Sequence, residues 1–223
     1  MKLLCISTSG PMASAALFED GALTGERTGP RELTHSETVM LLAEELLSSC
    51  GLTPSDMDAF AADTGPGSFT GVRIGVCCVN AMGFALDKPV YGVCSLEAIA
   101  CGLEDSVCAL IDRRNRNVYA ALYTDGREMI PPRADTLESF LGEVPADTLF
   151  VGDFSAFVED IAKVVPGARF NDEMRLTAAN VGRAALSYGS PAREIMPMYL
   201  VPSQAERLKK TDSSTPSRTQ GLS

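Results

Sequence analysis

CISTSGPMASAALFEDG (residues 5–21) and LIDRRNRNVYAALYTDG (residues 110–126) are the two stretches on which the fold turns. The second repeats the first 105 residues later, without a gap between matching positions. Ile6 falls on Ile111, Ser7 on Asp112, and Ala15-Ala16-Leu17-Phe18 on Ala120-Ala121-Leu122-Tyr123. Asp20-Gly21 falls on Asp125-Gly126, and Asp-Gly favours the positive φ angles of a tight hairpin. So many matches in one register indicate an internal duplication.

Each copy reads as two strands joined by a polar loop. They are Lys2–Ser7 and Ala13–Phe18 in the first copy, and Val107–Asp112 and Val118–Tyr123 in the second. Ala22–Thr28 completes a three-stranded meander in the first copy. A helix follows, opened by Thr34 and Glu37 in capping-box spacing and closed at Gly51. Ala59–Asp63 reads as a strand, Val72–Leu86 as a helix, Pro89–Val93 as a strand, and Ser95 opens a third helix. The second half repeats this order more loosely, with helices near 136–141, 154–165 and 177–188 and a strand at Thr148–Gly152. Two α/β lobes of common ancestry follow, residues 1–104 and 105–202. Residues 203–223 lose apolar periodicity and read as a flexible tail.

The first two helices are more apolar than one buried face requires. Val39, Met40, Leu42, Ala43, Leu46, Leu47 and Cys50 fill a broad arc of the first, with Leu41 apolar on the far side. On the second, only Arg73 and Asn80 are strongly polar, and their spacing puts them on one stripe. Such helices either serve a partner surface or are sandwiched within the protein. Arg73 accordingly reads as a polar contact to a partner or as a solvent-exposed charge.

Between strand and helix runs Gly65-Pro66-Gly67-Ser68-Phe69-Thr70-Gly71, followed by Val72-Arg73-Ile74-Gly75. The position invites a phosphate loop. However, no lysine follows the glycines, and Thr70 occupies the last glycine position of a dinucleotide fingerprint. The structural alternative is that Gly71, Gly75 and Gly83 let the helix approach another backbone closely, offsetting about 1 kcal/mol per glycine relative to alanine.

Composition narrows the function classes. The chain has 223 residues, of which 45% are hydrophobic, enough for one large core or two modest lobes. A formal charge of −10 repels phosphate backbones and argues against autonomous nucleic-acid binding. The basic cluster Arg207, Lys209 and Lys210 reads as a solvated tail. Seven cysteines without paired spacing read as buried free thiols in a reducing compartment, and a single histidine, His35, rules out a histidine-rich metal site. The short apolar start and the lack of a long uninterrupted apolar run lead us to expect a cytoplasmic protein without a membrane segment.

GPGSFTGVRIG at 65–75 resembles the signature segment of the TsaB (YeaZ) family. Weaker motifs agree: His35-Ser36-Glu37, Ile111-Asp112 with Val118-Tyr119, and Pro197-Met198-Tyr199-Leu200, so the resemblance covers roughly residues 1–202. It implies an α/β, actin-like (ASKHA, ribonuclease H-like) duplicated fold of two lobes. It also implies a non-catalytic scaffold with no cofactor, metal or catalytic residue of its own, which stabilises the TsaD catalytic subunit in a heterodimer. The larger complex with the TsaE ATPase makes threonylcarbamoyladenosine next to the tRNA anticodon, and tRNA is reached only through that complex. In the family the first two helices meet those of TsaD in a bundle, and similar surfaces form homodimers. Carried onto this sequence, the partner-binding positions are His35, Thr38, Leu41, Leu42, Arg73, Ile74, Cys77 and Asn80. Two departures stand out: Ser7 replaces an acidic residue common in the first strand, and Val201 replaces an arginine often seen after Tyr-Leu.

The competing class is an enzyme of the same fold, an ATPase or a peptidase. Phosphoryl transfer needs a carboxylate-held metal, and Ser7 removes its expected first ligand. Peptidase chemistry needs convergent ligands or a histidine base, and only His35 is available. Arg113 and Arg114 beside Asp112 read either as cleft residues for an anion or as ordinary exposed loop charges.

Overall fold

Asp20 and Gly21 have φ of 50° and 85°, and Asp125 and Gly126 have 49° and 74°. These paired positive values make the same tight turn in both copies. A computed structural model describes residues 1–30 and 35–201. Thr34 of the expected capping box, the basic cluster at 207–210 and the expected tail at 203–223 lie outside the described residues.

In the first half, β1 (Lys2–Ser7), β2 (Ser14–Glu19) and β3 (Ala22–Thr28) form the meander. Then come α1 (His35–Ser49), β4 (Ala59–Gly65), α2 (Phe69–Leu86), β5 (Val90–Cys94) and α3 (Ser95–Ala100). The second half has β6 (Ser106–Asp112), β7 (Asn117–Thr124), β8 (Arg127–Thr136), α4 (Leu137–Leu141), β9 (Leu149–Gly152), α5 (Val158–Val164), β10 (Arg169–Asn171) and α6 (Ala178–Tyr188). The sheet orders are β3-β2-β1-β4-β5 and β10-β9-β6-β7-β8, the same arrangement twice. In each, the first three strands are antiparallel and the last two add in parallel. This is the duplicated, two-lobed actin-like α/β fold.

The repeat holds at 105 residues in β2 and β7 but slips by one in β1 and β6. Ile6 pairs with Ala15, whereas Leu110, not Ile111, pairs with Ala120. The faces agree with the pairing. Leu4 and Ile6 lie in the core under α1 and α2, and Cys108 and Leu110 in the core under α4 and α5. A one-residue slip moves every side chain of a strand to the opposite face, so ungapped sequence matching puts Cys5 on the wrong side of its copy. The tighter β6–β7 loop absorbs the missing residue.

Two strands escape the sequence pattern. β8 contains Pro131-Pro132, which argues against a strand, but it is a sheet edge and the register shifts around the prolines. β10 is three residues long, too short for any periodicity.

Each half covers one face of its sheet with its own helices and exchanges its last helix with the other half. Leu96, Ile99 and Ala100 of α3 pack with Val107, Ala109, Ala121 and Val151 of the second sheet. The alanines of α6 and Val181 pack with Leu3, Cys5, Ala16 and Phe18 of the first. α3 and α6 also touch each other. Gly182 permits this: a Cβ there would overlap the Phe18 ring and lie 2.9 Å from Cys5 Sγ. Gly182→Val should therefore destabilise the protein by about 2–3 kcal/mol, read as a lower urea midpoint at unchanged m-value.

Candidate functional site

The glycine helix lies against the end of β1. A Cβ at Gly71 would overlap the Thr8 carbonyl, one at Gly75 would sit 2.7 Å from Thr8 Oγ1, and one at Gly67 would sit 2.8 Å from the Ser9 Cβ. The close approach is fastened by hydrogen bonds. Ser68 N donates to the Ser9 carbonyl at 2.9 Å, and Thr8 Oγ1 donates to the Gly71 carbonyl at 2.7 Å. The glycines thus serve contact between backbones, the structural alternative raised from the sequence. Ser68 caps the helix by accepting from Gly71 N at 3.2 Å, so α2 starts at Phe69, three residues before the expected Val72.

Beneath this contact is Asp63, at the end of β4 and 1% exposed. Its carboxyl accepts from Ser9 Oγ, from Ser95 Oγ at 3.3 Å and from Thr8 N at 3.3 Å. Burial pushes its pKa up, against the opposing pull of these hydrogen bonds. Ser7 Oγ, wholly buried, lies close enough to favour the charged carboxyl, yet has no hydrogen-bond partner in the cluster.

The segment after α6 returns along α2 as a strap. Ala192 and Val90 exchange two backbone bonds of 2.9 Å, and Asn80 bonds the Ile195 backbone at 2.9 and 3.0 Å. Met198 N donates to the Thr64 carbonyl at 2.7 Å. Arg73 Nε donates to Tyr199 Oη at 2.8 Å, with its guanidinium 4.0 Å from the centre of the Phe69 ring, and Phe69 stacks on Tyr199. The Arg73–Asn80 stripe therefore faces the chain's own C-terminal segment, a contact across more than a hundred residues that helical spacing does not reveal.

The sequence-derived positions separate by orientation. Thr38 is buried and Leu42 is 8% exposed, both on the inner face of α1, while His35 is half-buried at its start. Ile74 is half-buried and packs against the core. Leu41 (56% exposed), Cys77 and Arg73 lie on the outside. Further outward apolar residues are Met40, Phe69 and, above all, Phe84 at 90% exposure. Cys50 and Cys77 are exposed, unlike the expected buried thiols: Cys50 lies in the turn that follows α1, and Cys77 lies on the outward side of α2. α2 is the one described helix long and apolar enough, by length and composition, to cross a membrane, and its inner face packs on the first sheet.

In the second lobe, Asp112 Oδ1 accepts from the Arg114 amide at 2.6 Å and Arg113 lies 4.6 Å from the Tyr119 ring centre, a local loop arrangement. Sequence reasoning missed Asp63 and Ser95 as site residues, and it had Tyr199 only within a family motif, without its contacts to Arg73 and Phe69. Asp63 was visible only as an acid ending an apolar strand, which did not single it out.

Because Gly71 meets backbone, not a movable side-chain tip, Gly71→Ala should cost about 3 kcal/mol of stability. Gly51→Ala, with open space but positive φ, should cost less; thermal unfolding of both variants compares them.

The family described as TsaD, tRNA N6-adenosine threonylcarbamoyltransferase, matches residues 31–197. A Bacillus subtilis relative, tRNA threonylcarbamoyladenosine biosynthesis protein TsaB, is 30% identical over 180 residues, covering 76% of this chain and 78% of the relative. An uncharacterized Mycobacterium tuberculosis protein is 37% identical over 132 residues, covering 58% of this chain, and the match spans 63% of that relative's length. Among solved structures, a Pseudomonas aeruginosa protein described as similar to the peptidase YEAZ superposes with a TM-score of 0.74 at 27% identity, over 90% of this chain and 99% of that one. The chain belongs to the TsaB (YeaZ) family, within the wider family that carries the TsaD description.

Proposed function

We propose that this chain is the non-catalytic partner subunit of the bacterial machinery for tRNA threonylcarbamoyladenosine, working in the cytoplasm by holding and stabilising a TsaD-like catalytic subunit. The observation that carries the reading is the outward apolar surface of α1 and α2, where Leu41 and Phe84 stand in water with Cys77 between them in sequence. Burying a side chain such as Phe84 contributes roughly 1.5–3 kcal/mol, so a few such residues supply a useful share of an interface. The inward residues Thr38 and Leu42 support the surface from beneath, and Arg73 and Asn80 hold the strap beside it. A TsaE-like ATPase joins the larger complex, tRNA is contacted through that complex, and the same surface allows a homodimer when the partner is absent. The net charge of −10 fits a protein that approaches RNA indirectly.

Titration calorimetry with the cognate TsaD tests this. Leu41→Glu and Phe84→Glu should each weaken binding at least about tenfold, with the Tm of the isolated chain moving by no more than about 2 °C. No complex from the intact chain, or undiminished affinity in both variants, refutes the docking role.

A further inference from the structure

The Asp63 cluster joins three segments through side-chain hydrogen bonds at one buried point. Ser7, Thr8 and Ser9 come from the end of β1, Asp63 precedes the glycine loop, and Ser95 begins α3, the helix that passes to the second sheet. From Ser9 the contact runs on to Ser68, and from Thr8 to Gly71, so the same cluster holds the first turn of α2. No cation pairs with Asp63 among the described residues. An ionised carboxylate in such a place carries a large desolvation penalty. A protonated carboxyl avoids that penalty, and its O–H can be accepted by one of the hydroxyls packed around it.

We propose that Asp63 is a positioning residue: a neutral carboxylic acid that supplies, from β4, the carboxyl group the Ser7-Thr8-Ser9 segment lacks, and that latches the glycine loop and the start of α2 to β1 and α3. Its link to docking rests on the function proposed above, because the latched turn carries Phe69 and Arg73 next to the outward face. The latch itself is a property of the isolated chain.

No compensating cation faces the carboxyl among the described residues, and burial outweighs the donors around it. The groups facing Asp63 are the hydroxyls of Ser7, Ser9 and Ser95 and the Thr8 amide. Of the titratable side chains on neighbouring elements, Cys94 at the end of β5 and Glu97 on α3 are themselves pushed up by burial. Arg73 on α2 is turned outward to Tyr199. For an acid whose folded-state pKa is raised, the stabilisation is present at low pH and is lost as pH rises through the folded value.

The test follows the intact chain by Tm from about pH 4, near the ordinary carboxyl value, to about pH 9, and by affinity for TsaD at neutral pH. Asp63→Ala should lower Tm by about 5–10 °C at neutral pH. Asp63→Asn should stay within about 3 °C of the parent there and lose less stability than the parent as pH rises. Ser7→Asp combined with Asp63→Ser should recover at least about half of the Tm lost by Asp63→Ser alone, because the carboxyl returns to the same cluster from the facing strand. Parallel pH profiles for the parent and Asp63→Asn, or no recovery in the double variant, overturn the proposal. If the parent fails to bind TsaD, the docking function falls while the Tm arms still decide the latch. If the parent binds and Asp63→Ala binds equally well, the link from latch to docking surface is overturned.

Discussion

The approach of α2 to the end of β1 constrains the rest of the first lobe. Gly71 is close enough to Thr8 that even a methyl group would overlap the carbonyl, so the helix and strand meet backbone to backbone. That contact brings Ser68 to Ser9 and Thr8 to Gly71, and the small separation leaves Asp63 enclosed by hydroxyls without access to water. Replacing the glycines would push the helix outward, open the polar cluster and tilt the outward face that carries Phe69 and Phe84.

The exchange of α3 and α6 gives this local contact its support. Ser95, a member of the Asp63 cluster, is also the first residue of the helix whose other end packs under the second sheet. α6 returns the exchange by covering the inner face of β1 and β2, and the chain then continues as the strap along α2. The outward surface is thus tied to both lobes through covalent continuity as well as packing, and its geometry depends on more of the chain than the two helices that form it.

Most of the fold was legible because it rests on local chemistry. Asp-Gly turns, the glycine closing α1 and the alternation in β1 and β2 are properties of neighbouring residues. What was not legible depends on partners far away in sequence. The one-residue slip between β1 and β6 arises from loop length, and β8 tolerates its prolines only because it lies at an edge. Arg73 and Asn80 were correctly placed on one stripe, but what that stripe faces is set by a segment more than a hundred residues away. The signature loop was recognised as a motif, while the acid that anchors it looked like an ordinary strand ending.

The same reasoning explains why overall hydropathy could not separate the two sides of α2. Glycine at 71, 75 and 83 thins the inner face, at about 1 kcal/mol each in helix propensity, and the gain is a shorter distance to the sheet. A helix seated that deeply has little room beneath it for large side chains. Val72, Val76 and Val79 fill the inner space, and the aromatic bulk at 69 and 84 is left outside. The outward position of Phe84 therefore follows from the glycines that seat the helix on the sheet, Gly71 and Gly75 against the end of β1 and Gly83 against Val90 of β5. A surface of this kind is held rigid by its own core, which lowers the ordering cost when another apolar face covers it.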